Sequence, residues 1–202
     1  YLMNIKGVDI MIHKKLFIML CLLCFFLTIA MPSLRTEDST TISMGNKLAF
    51  LSERDGNTEI YVINDDGTGL VRLTDNKAYD YNPQWAPDGS KILYNSLVGN
   101  FFGRKQELWL VNADGSGNIR LAEDSSSVPQ WSPDGSKILF VDKRDKKRII
   151  SIINADGGGE FSLISKEWEG FFPSWSRDGS KILCLLKGKK DEGIYILNSD
   201  GS

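Results

Sequence analysis

Residues 83–94, PQWAPDGSKILY, recur almost unchanged as PQWSPDGSKILF at residues 129–140 and PSWSRDGSKILC at residues 173–184. A second motif, Asn-x-Asp-Gly, begins at residues 64, 112, 154 and 198. Both motifs return about every 45 residues, a period that is typical of repeat architectures. We therefore interpret the chain from about residue 41 onward as four copies of one unit, near 41–82, 83–128, 129–172 and 173–202.

Each unit contains four apolar segments separated by turn sequences, which we call strands A to D. Strand A surrounds Trp85, Trp131 or Trp175, and it ends in a tight Asp-Gly turn in which glycine takes positive φ. Strand B follows as KILYNS, KILFVD or KILCLL, and strand C as EIYVIN, ELWLVN, IISIIN or GIYILN. Strand C is almost continuously apolar, which indicates burial on both faces.

Four antiparallel strands per unit, with both sheet faces covered, predict an all-β protein of the β-propeller type. The tight turns disfavour a parallel solenoid, and a sandwich would not need the same unit four times. About 3.5–4 four-stranded blades are present, because the sequence stops at Ser202 in the turn after the fourth strand C. We therefore expect an arc of a truncated propeller.

The repeats resemble the WD-type repeats of the TolB C-terminal propeller, which also occur in the propellers of prolyl-oligopeptidase-like enzymes. The resemblance rests on Pro-x-Trp-Ser-Pro-Asp-Gly-Ser-Lys, on SERDGNTEIYVIN at residues 52–64 and on the Asn-x-Asp-Gly turns, and it covers residues 45–202. It implies a propeller of six or more blades. The sequence contains no Gly-x-Ser-x-Gly motif, and no segment of it matches the α/β domain of TolB or a peptidase catalytic domain.

Residues 11–30 have the composition of a signal peptide. Lys14 and Lys15 precede the apolar run LFIMLCLLCFFLTI at residues 16–29, and Ala30 is a small residue suited to cleavage. The alternative is an uncleaved anchor, because the uncharged residues 16–34 approach the roughly 20 residues that span a bilayer. Cleavage would give an exported protein, periplasmic or extracellular. Residues 1–10 are interpreted as an upstream extension, and residues 31–44 as a linker with the first strand.

Composition excludes several classes of function. The net charge of -2 provides no basic field for nucleic acid. The only histidine, His13, lies in the leader with Cys21 and Cys24, which leaves Cys184 as the one cysteine of the repeats. The repeats therefore cannot form a Ser-His-Asp or Cys-His system, an internal disulfide or a Cys/His zinc site. We predict no enzyme activity, no cofactor and no metal site.

The repeated aspartate and tryptophan residues favour structural roles. The turn at Asp66 lacks the alternating ligands and the later glutamate of a calcium-binding EF-hand, so turn formation is the favoured role of these aspartates. Trp85, Trp131 and Trp175 share one position of strand A, which favours core packing over ligand stacking.

The residues that differ between units indicate a binding surface. In such a meander the A–B and C–D turns share one edge of the blades, here called the turn edge. The B–C loops and D–A connections share the opposite loop edge, which carries aromatic side chains beside basic B–C loops. Aromatics on a rigid scaffold favour partner binding; packing between blades and solvated basic turns are the alternatives. The candidate partner-binding residues are Tyr79, Tyr81, Phe101, Phe102, Arg104, Lys105, Arg144, Trp168, Phe171 and Phe172.

These observations predict an exported, non-catalytic TolB-like propeller that binds a protein or peptide in the cell envelope. We expect no nucleic-acid partner, and membrane contact only through an uncleaved N-terminal segment. The alternative is the propeller of a prolyl-oligopeptidase-like serine peptidase whose catalytic domain lies outside this chain.

Overall fold

A computed structural model gives the fold of the protein, and it describes residues 2–5, 8–11, 42–99, 103–125 and 128–202. The described residues form seventeen β-strands, and they include no helix that is long and apolar enough to cross a membrane. The predicted signal peptide lies outside the described residues except for Met11. The chain divides into two compact units, Tyr1–Asp38 and Ser39–Ser202. In the first, β1 (Leu2–Ile5) and β2 (Val8–Met11) form an antiparallel pair.

The second unit contains four antiparallel sheets, which we number as blades 1 to 4, and the strand order in each blade follows the chain. Blade 1 consists of β3 (Ile42–Met44), β4 (Lys47–Ser52), β5 (Glu59–Asn64) and β6 (Val71–Arg72). Blade 2 consists of β7 (Tyr79–Trp85), β8 (Lys91–Val98), β9 (Lys105–Asn112) and β10 (Ile119–Ala122). Blade 3 consists of β11 (Gln130–Trp131), β12 (Lys137–Arg144), β13 (Lys147–Asn154) and β14 (Phe161–Ser162). Blade 4 consists of β15 (Glu169–Trp175), β16 (Lys181–Lys187) and β17 (Glu192–Asn198).

These sheets confirm the predicted all-β blades. The predicted strands A, B and C match the first three strands of blades 2, 3 and 4, and strand D follows in blades 2 and 3. Blade 1 also has four strands, although its first unit lacks the tryptophan of the others. The short strand Ile42–Met44 serves as strand A of blade 1 and pairs with Lys47–Ala49.

Each pair of neighbouring blades encloses its own apolar cluster. Ile60 and Tyr94 belong to the cluster between blades 1 and 2, and Leu108 and Phe140 to the cluster between blades 2 and 3. Ile150 belongs to the cluster between blades 3 and 4. All five side chains are almost completely buried, so the blades are stabilised mainly by packing of sheet on sheet.

The strand A tryptophans join consecutive blades by hydrogen bonds. Trp131 Nε1 donates to the Gln84 carbonyl of blade 2, and Trp175 Nε1 donates to the Gln130 carbonyl of blade 3, both at 3.4 Å. Trp85 is buried, whereas Trp131 and Trp175 are half-buried. The predicted core role therefore describes Trp85 fully, and the other two tryptophans also act as polar links between sheets.

The outer face of blade 4 differs from the prediction that every strand C is covered on both faces. Strand C is largely buried in blades 1 to 3, but in β17 Ile194 and Ile196 are exposed, and Ile196 reaches 70%. Leu183 of β16 pairs with Ile196 and is exposed on the same face. The described residues therefore leave one apolar sheet face of the arc open to solvent.

Candidate partner-binding edge

The turn edge is built from repeated turns whose polar groups bind one another. Asp134 Oδ1 accepts hydrogen bonds from the Ser132 hydroxyl and from the backbone N–H of Ser136. These hydrogen bonds lower the pKa of Asp134 to about 2. The A–B and C–D turns are also joined to each other, for example by the Ala155 N–H that donates to the Ser136 carbonyl at 2.9 Å. The aspartates thus form the turns, in agreement with the sequence-based interpretation.

Glycine is required in these turns because the backbone lies close to other groups. In the Asn-x-Asp-Gly-x-Gly turn of blade 2, Gly117 has φ of +65°, and an added Cβ would lie 2.6 Å from Asn112 Nδ2. That amide itself donates to Ser116 Oγ at 3.0 Å. The polar side chains of these turns therefore hydrogen-bond within the turn and fix its backbone geometry.

Two cavities at the turn edge mark the junctions between blades 2 and 3 and between blades 3 and 4, with volumes of about 490 and 340 Å³. Trp131 and Lys91 line the first, and Trp175 and Lys137 occupy the same positions in the second. Lys91 Nζ donates to the Ala155 carbonyl at 2.9 Å, and both tryptophans donate across the junction. The repetition and these hydrogen bonds indicate structural junctions rather than ligand sites.

The loop edge carries the aromatic candidates, but most of them lie in strand A rather than in the D–A connections assigned from the sequence. Tyr79 and Tyr81 belong to β7, with ring centroids 5.6 Å apart, and Phe171 and Phe172 belong to β15, with centroids 6.4 Å apart. Tyr79 and Phe172 are exposed, whereas Tyr81 and Phe171 are half-buried. Tyr81 and Phe171 are the last paired residues before a bulge in the pairing of strands A and B, and Phe172 lies within its bulge.

Phe172 has the most unusual combination of backbone and exposure at this edge. It precedes the proline of strand A, as Asn82 and Val128 do in blades 2 and 3. Phe172 has φ of +50° and is 78% exposed, while Asn82 has φ of +52° and Val128 is 56% exposed. Positive φ is strained for a bulky residue, and such strain is found mostly where the surrounding structure or a function requires it.

Two other candidates, Trp168 and Arg144, have partners within the chain. The Trp168 ring lies edge-on to Tyr195 at 5.5 Å, and both pack against the apolar cluster between blades 3 and 4, which supports interblade packing. Arg144 Nε donates to Asp142 Oδ2 at 2.7 Å, and its other end binds Glu160.

Arg148, from one of the basic loops, lies over the Phe171 ring at 5.1 Å. The segment KRDKKR at residues 143–148, one of the B–C loops assigned from the sequence, lies mostly in β12 and β13. Arg144 and Lys147 end two paired strands joined by Asp145 and Lys146, which both have positive φ.

Arg104 and Lys105 are exposed at the start of β9, and Phe101 and Phe102 lie outside the described residues. In the described structure, strand A of blade 2 carries Tyr79 and Tyr81, and strand A of blade 4 carries Phe171 and Phe172. The structure gives Arg144 and Trp168 structural contacts.

A buried polar cluster between blades 1 and 2 was missed by sequence reasoning. Asp80 is fully buried, and it accepts hydrogen bonds from Ser96 Oγ at 2.5 Å and from Asn76 Nδ2 at 2.7 Å. Burial raises the pKa of Asp80, and these hydrogen bonds oppose that shift. The buried Glu59 lies nearby and binds Arg72 Nη2 at 3.2 Å.

The Glu59–Arg72 pair has a counterpart in Glu107 and Arg120 of blade 2, 2.9 Å apart. This repetition of a strand C glutamate and a strand D arginine was a visible signal in the two units. Among the described residues, no group of three or more His, Cys, Asp or Glu side chains is arranged to hold a metal ion.

Comparison with known proteins agrees with this architecture. Residues 43–202 match the family model for the TolB beta propeller domain. Over 93 residues the chain is 34% identical to tricorn protease homolog 2 of Streptomyces coelicolor, a match that covers 45% of this chain and 7% of that protein. Over 68 residues it is 37% identical to the TolB homolog of Chlorobaculum tepidum, which covers 34% of this chain and 15% of that protein.

A solved structure gives the same fold. The crystal structure of TolB from Acinetobacter baumannii aligns with a TM-score of 0.56 at 19% identity, over 81% of this chain and 41% of that one. The chain thus matches well under two thirds of the length of these relatives. Because the family model spans most of the sequence and the repeated blades are those of a propeller, the chain belongs to the TolB β-propeller family.

Proposed function

We propose that this chain is the propeller of an exported, non-catalytic protein that binds a protein or peptide partner through its loop edge. The observation that carries the proposal is Phe172, a bulky residue with positive φ and a ring that is 78% exposed. Interface hot spots are enriched in aromatic anchors. The exposed Tyr79 and Val128 of blades 2 and 3 would extend the contact along strand A.

Two features of the repeats support a binding role over catalysis. Residues 43–202 contain no histidine, and their one cysteine, Cys184, is buried. Burial raises the pKa of the Cys184 thiol to about 11, so the nucleophilic thiolate is scarce at neutral pH. Similarity to TolB proteins supports a protein partner in the cell envelope.

Capture of a partner from envelope extract tests the proposal. We expect Phe172→Ala to reduce capture at least tenfold, since loss of a hot-spot aromatic costs about 2 kcal/mol or more. Leu70→Ala is the matched control, because Leu70 is also an exposed apolar residue but follows the C–D turn of blade 1 at the turn edge. Equal capture by wild type and Phe172→Ala, with loss in Leu70→Ala, would place binding at the turn edge and refute the proposal.

Export forms a separate part of the proposal and has its own test. The basic and apolar stretches of residues 11–30 support cleavage after Ala30. We expect N-terminal sequencing of exported protein to begin at Met31. A sequence that begins at Met11 in a membrane fraction would establish the anchor instead.

The second candidate function is the regulatory propeller of a serine peptidase. The 34% identity to tricorn protease homolog 2 over 93 residues favours it. A Gly-x-Ser-x-Gly motif in the full reading frame, together with fluorophosphonate labelling of the full-length protein, would establish this alternative.

A further inference from the structure

The junction between blades 2 and 3 shows how the repeat joins two sheets. Leu93 and Leu110 pair on the face of blade 2 that packs against the next blade, which we call the front face. Ile138 and Phe140 lie on the face of blade 3 that packs against the preceding blade, the back face. All four side chains are almost completely buried in one cluster. A junction therefore needs an apolar front face and an apolar back face.

The front face of blade 4 has the apolar positions of such a junction but is open to solvent. By repeat, Leu183 takes the place of Leu93. Ile196 takes the place of Leu110, and it pairs with Leu183. The exposed fractions of Leu183, Ile194 and Ile196 are 49, 51 and 70%, although their counterparts in blade 2 are buried. Terminal repeats usually have a polar outer face, and a contiguous apolar patch marks an interaction site.

The back face of blade 1 carries the complementary positions. Alternation along β4 puts Leu48 and Phe50 on the face opposite to Ala49, which is buried in the cluster between blades 1 and 2. By repeat, these two residues take the places of Ile138 and Phe140. Leu48 and Phe50 are half-buried, whereas their counterparts in blade 3 are completely buried. The two ends of the arc thus carry the two halves of an interblade junction.

The charges at the loop edge of these two faces are complementary. On blade 1, the guanidinium of the exposed Arg54 lies over the Phe50 ring at 5.7 Å. On blade 4, alternation puts Lys187 and Glu192 on the front face, and Glu169 pairs with Lys187 beside them. Two carboxylates against one ammonium leave this end of the front face acidic. An arginine from a back face therefore suits it.

We propose that the front face of blade 4 binds the back face of blade 1 of a second copy of this chain, so that two arcs join head to tail. The contact repeats the junctions inside the arc, with Leu183 and Ile196 packed against Phe50 of the other copy. It uses the sheet faces at the two ends of the arc and is separate from the partner binding proposed above. Because the two faces differ, the contact is heterologous, and it gives a closed ring or an extended chain of copies.

Sedimentation velocity of the full chain over a concentration series tests the proposal. Ile196→Lys puts a charge on the front face of blade 4, and Phe50→Glu puts one on the back face of blade 1. We expect each to raise the dissociation constant about tenfold or more, because an unpaired charge is costly to bury in an apolar contact. Val128→Lys is the matched control, since Val128 is 56% exposed in the connection between blades 2 and 3; it should change the constant by less than about twofold.

A mixture of the two blocked variants distinguishes a head-to-tail contact from other modes of association. Phe50→Glu keeps an intact front face, and Ile196→Lys keeps an intact back face. We expect the equimolar mixture to contain a heterodimer that neither variant forms alone at the same total concentration. It should contain no larger species, because only one intact pair of faces remains.

If circular dichroism shows that Phe50→Glu does not fold, Arg54→Glu tests the same face at an exposed position. It should weaken association about threefold or more, and adding Glu192→Arg should restore it, because the charges are then exchanged.

A wild-type chain that stays monomeric over the whole series would overturn the proposal. Association of Phe50→Glu equal to wild type, with loss in Ile196→Lys, would also overturn it, because two blade 4 faces would then pair with each other. Equal association of wild type and both variants would place the contact elsewhere, for example in the apolar residues 16–29, and reject it. Absence of the heterodimer from the mixture would reject it as well.

Discussion

Packing between blades 3 and 4 depends on the absence of a side chain at Gly170. This residue of β15 lies under the apolar side of blade 3, where a Cβ built on it would collide with Ile150 Cγ1 and lie 2.5 Å from Ile150 Cδ1. Ile164 Cδ1 is 3.0 Å away. Because Ile150 is completely buried, it cannot move into solvent to make room.

We predict that Gly170→Ala lowers the free energy of unfolding by about 1–3 kcal/mol, the usual cost of overpacking a core. For a domain of this size, this corresponds to a fall in Tm of roughly 2–4 °C for each kcal/mol. Ile150→Ala alone should cost about 2–5 kcal/mol through the cavity that it leaves. The double variant should cost less than the sum of the two, because the new methyl group enters that cavity.

Urea denaturation followed by tryptophan fluorescence measures these changes, and Trp175 at the same junction reports on the relevant blades. Gly103→Ala is the matched control, since a Cβ at Gly103 meets no atom within 4 Å; it should change stability by no more than about 0.5 kcal/mol. The reasoning is refuted if Gly170→Ala is as stable as Gly103→Ala, or if the Gly170 and Ile150 effects simply add.

Three further predictions concern pH, thiol chemistry and the open sheet face. The lowered pKa of Asp134 means that its ionised form stabilises the fold above pH about 4, and this contribution is lost as pH falls towards 2; the Tm difference between wild type and Asp134→Asn should therefore shrink over that interval. In a variant with Cys21 and Cys24 replaced by serine, Cys184 should react with Ellman's reagent far more slowly in native protein than in urea, because it is buried with a pKa of about 11; equal rates would contradict its burial. Ile196→Lys should reduce self-association in sedimentation velocity and change stability by no more than about 0.5 kcal/mol, since the side chain is 70% exposed; unchanged association would show that this face is not responsible.

The fold was largely predictable because the same turn sequences and apolar segments recur from unit to unit. The Asp-Gly turns, the apolar strand C and the recurring tryptophan each appear at one register, so a repeated unit of four strands follows from turn chemistry and hydrophobic pattern. The hairpin through Asp145 and Lys146 was not predictable in this way. Both turn residues adopt positive φ without being glycine or asparagine, and their basic neighbours resemble a solvated loop.

The site was less predictable, because burial of a surface-like residue is decided by a distant part of the chain. Trp168 lies in a variable connection, yet its partner Tyr195 comes from the third strand of blade 4. Asp80 lies between two tyrosines in a segment that looks like an exposed connection, yet it is fully buried with Ser96 opposite. Neither contact has a local signature in the sequence.

Differences between repeats therefore have two causes, which the structure separates. Gly170 differs from the residues at the same position in the other units because Ile150 and Ile164 fill the space that a side chain would take. Phe172 differs in another way: Asn82 of blade 2 has the same positive φ, but Phe172 places a bulky, exposed residue in this backbone conformation. A residue whose strain or exposure is not offset by contacts inside the molecule is expected where a partner supplies the missing contact. For this reason the binding proposal rests on Phe172 rather than on variability, aromatic content or basic charge along the loop edge.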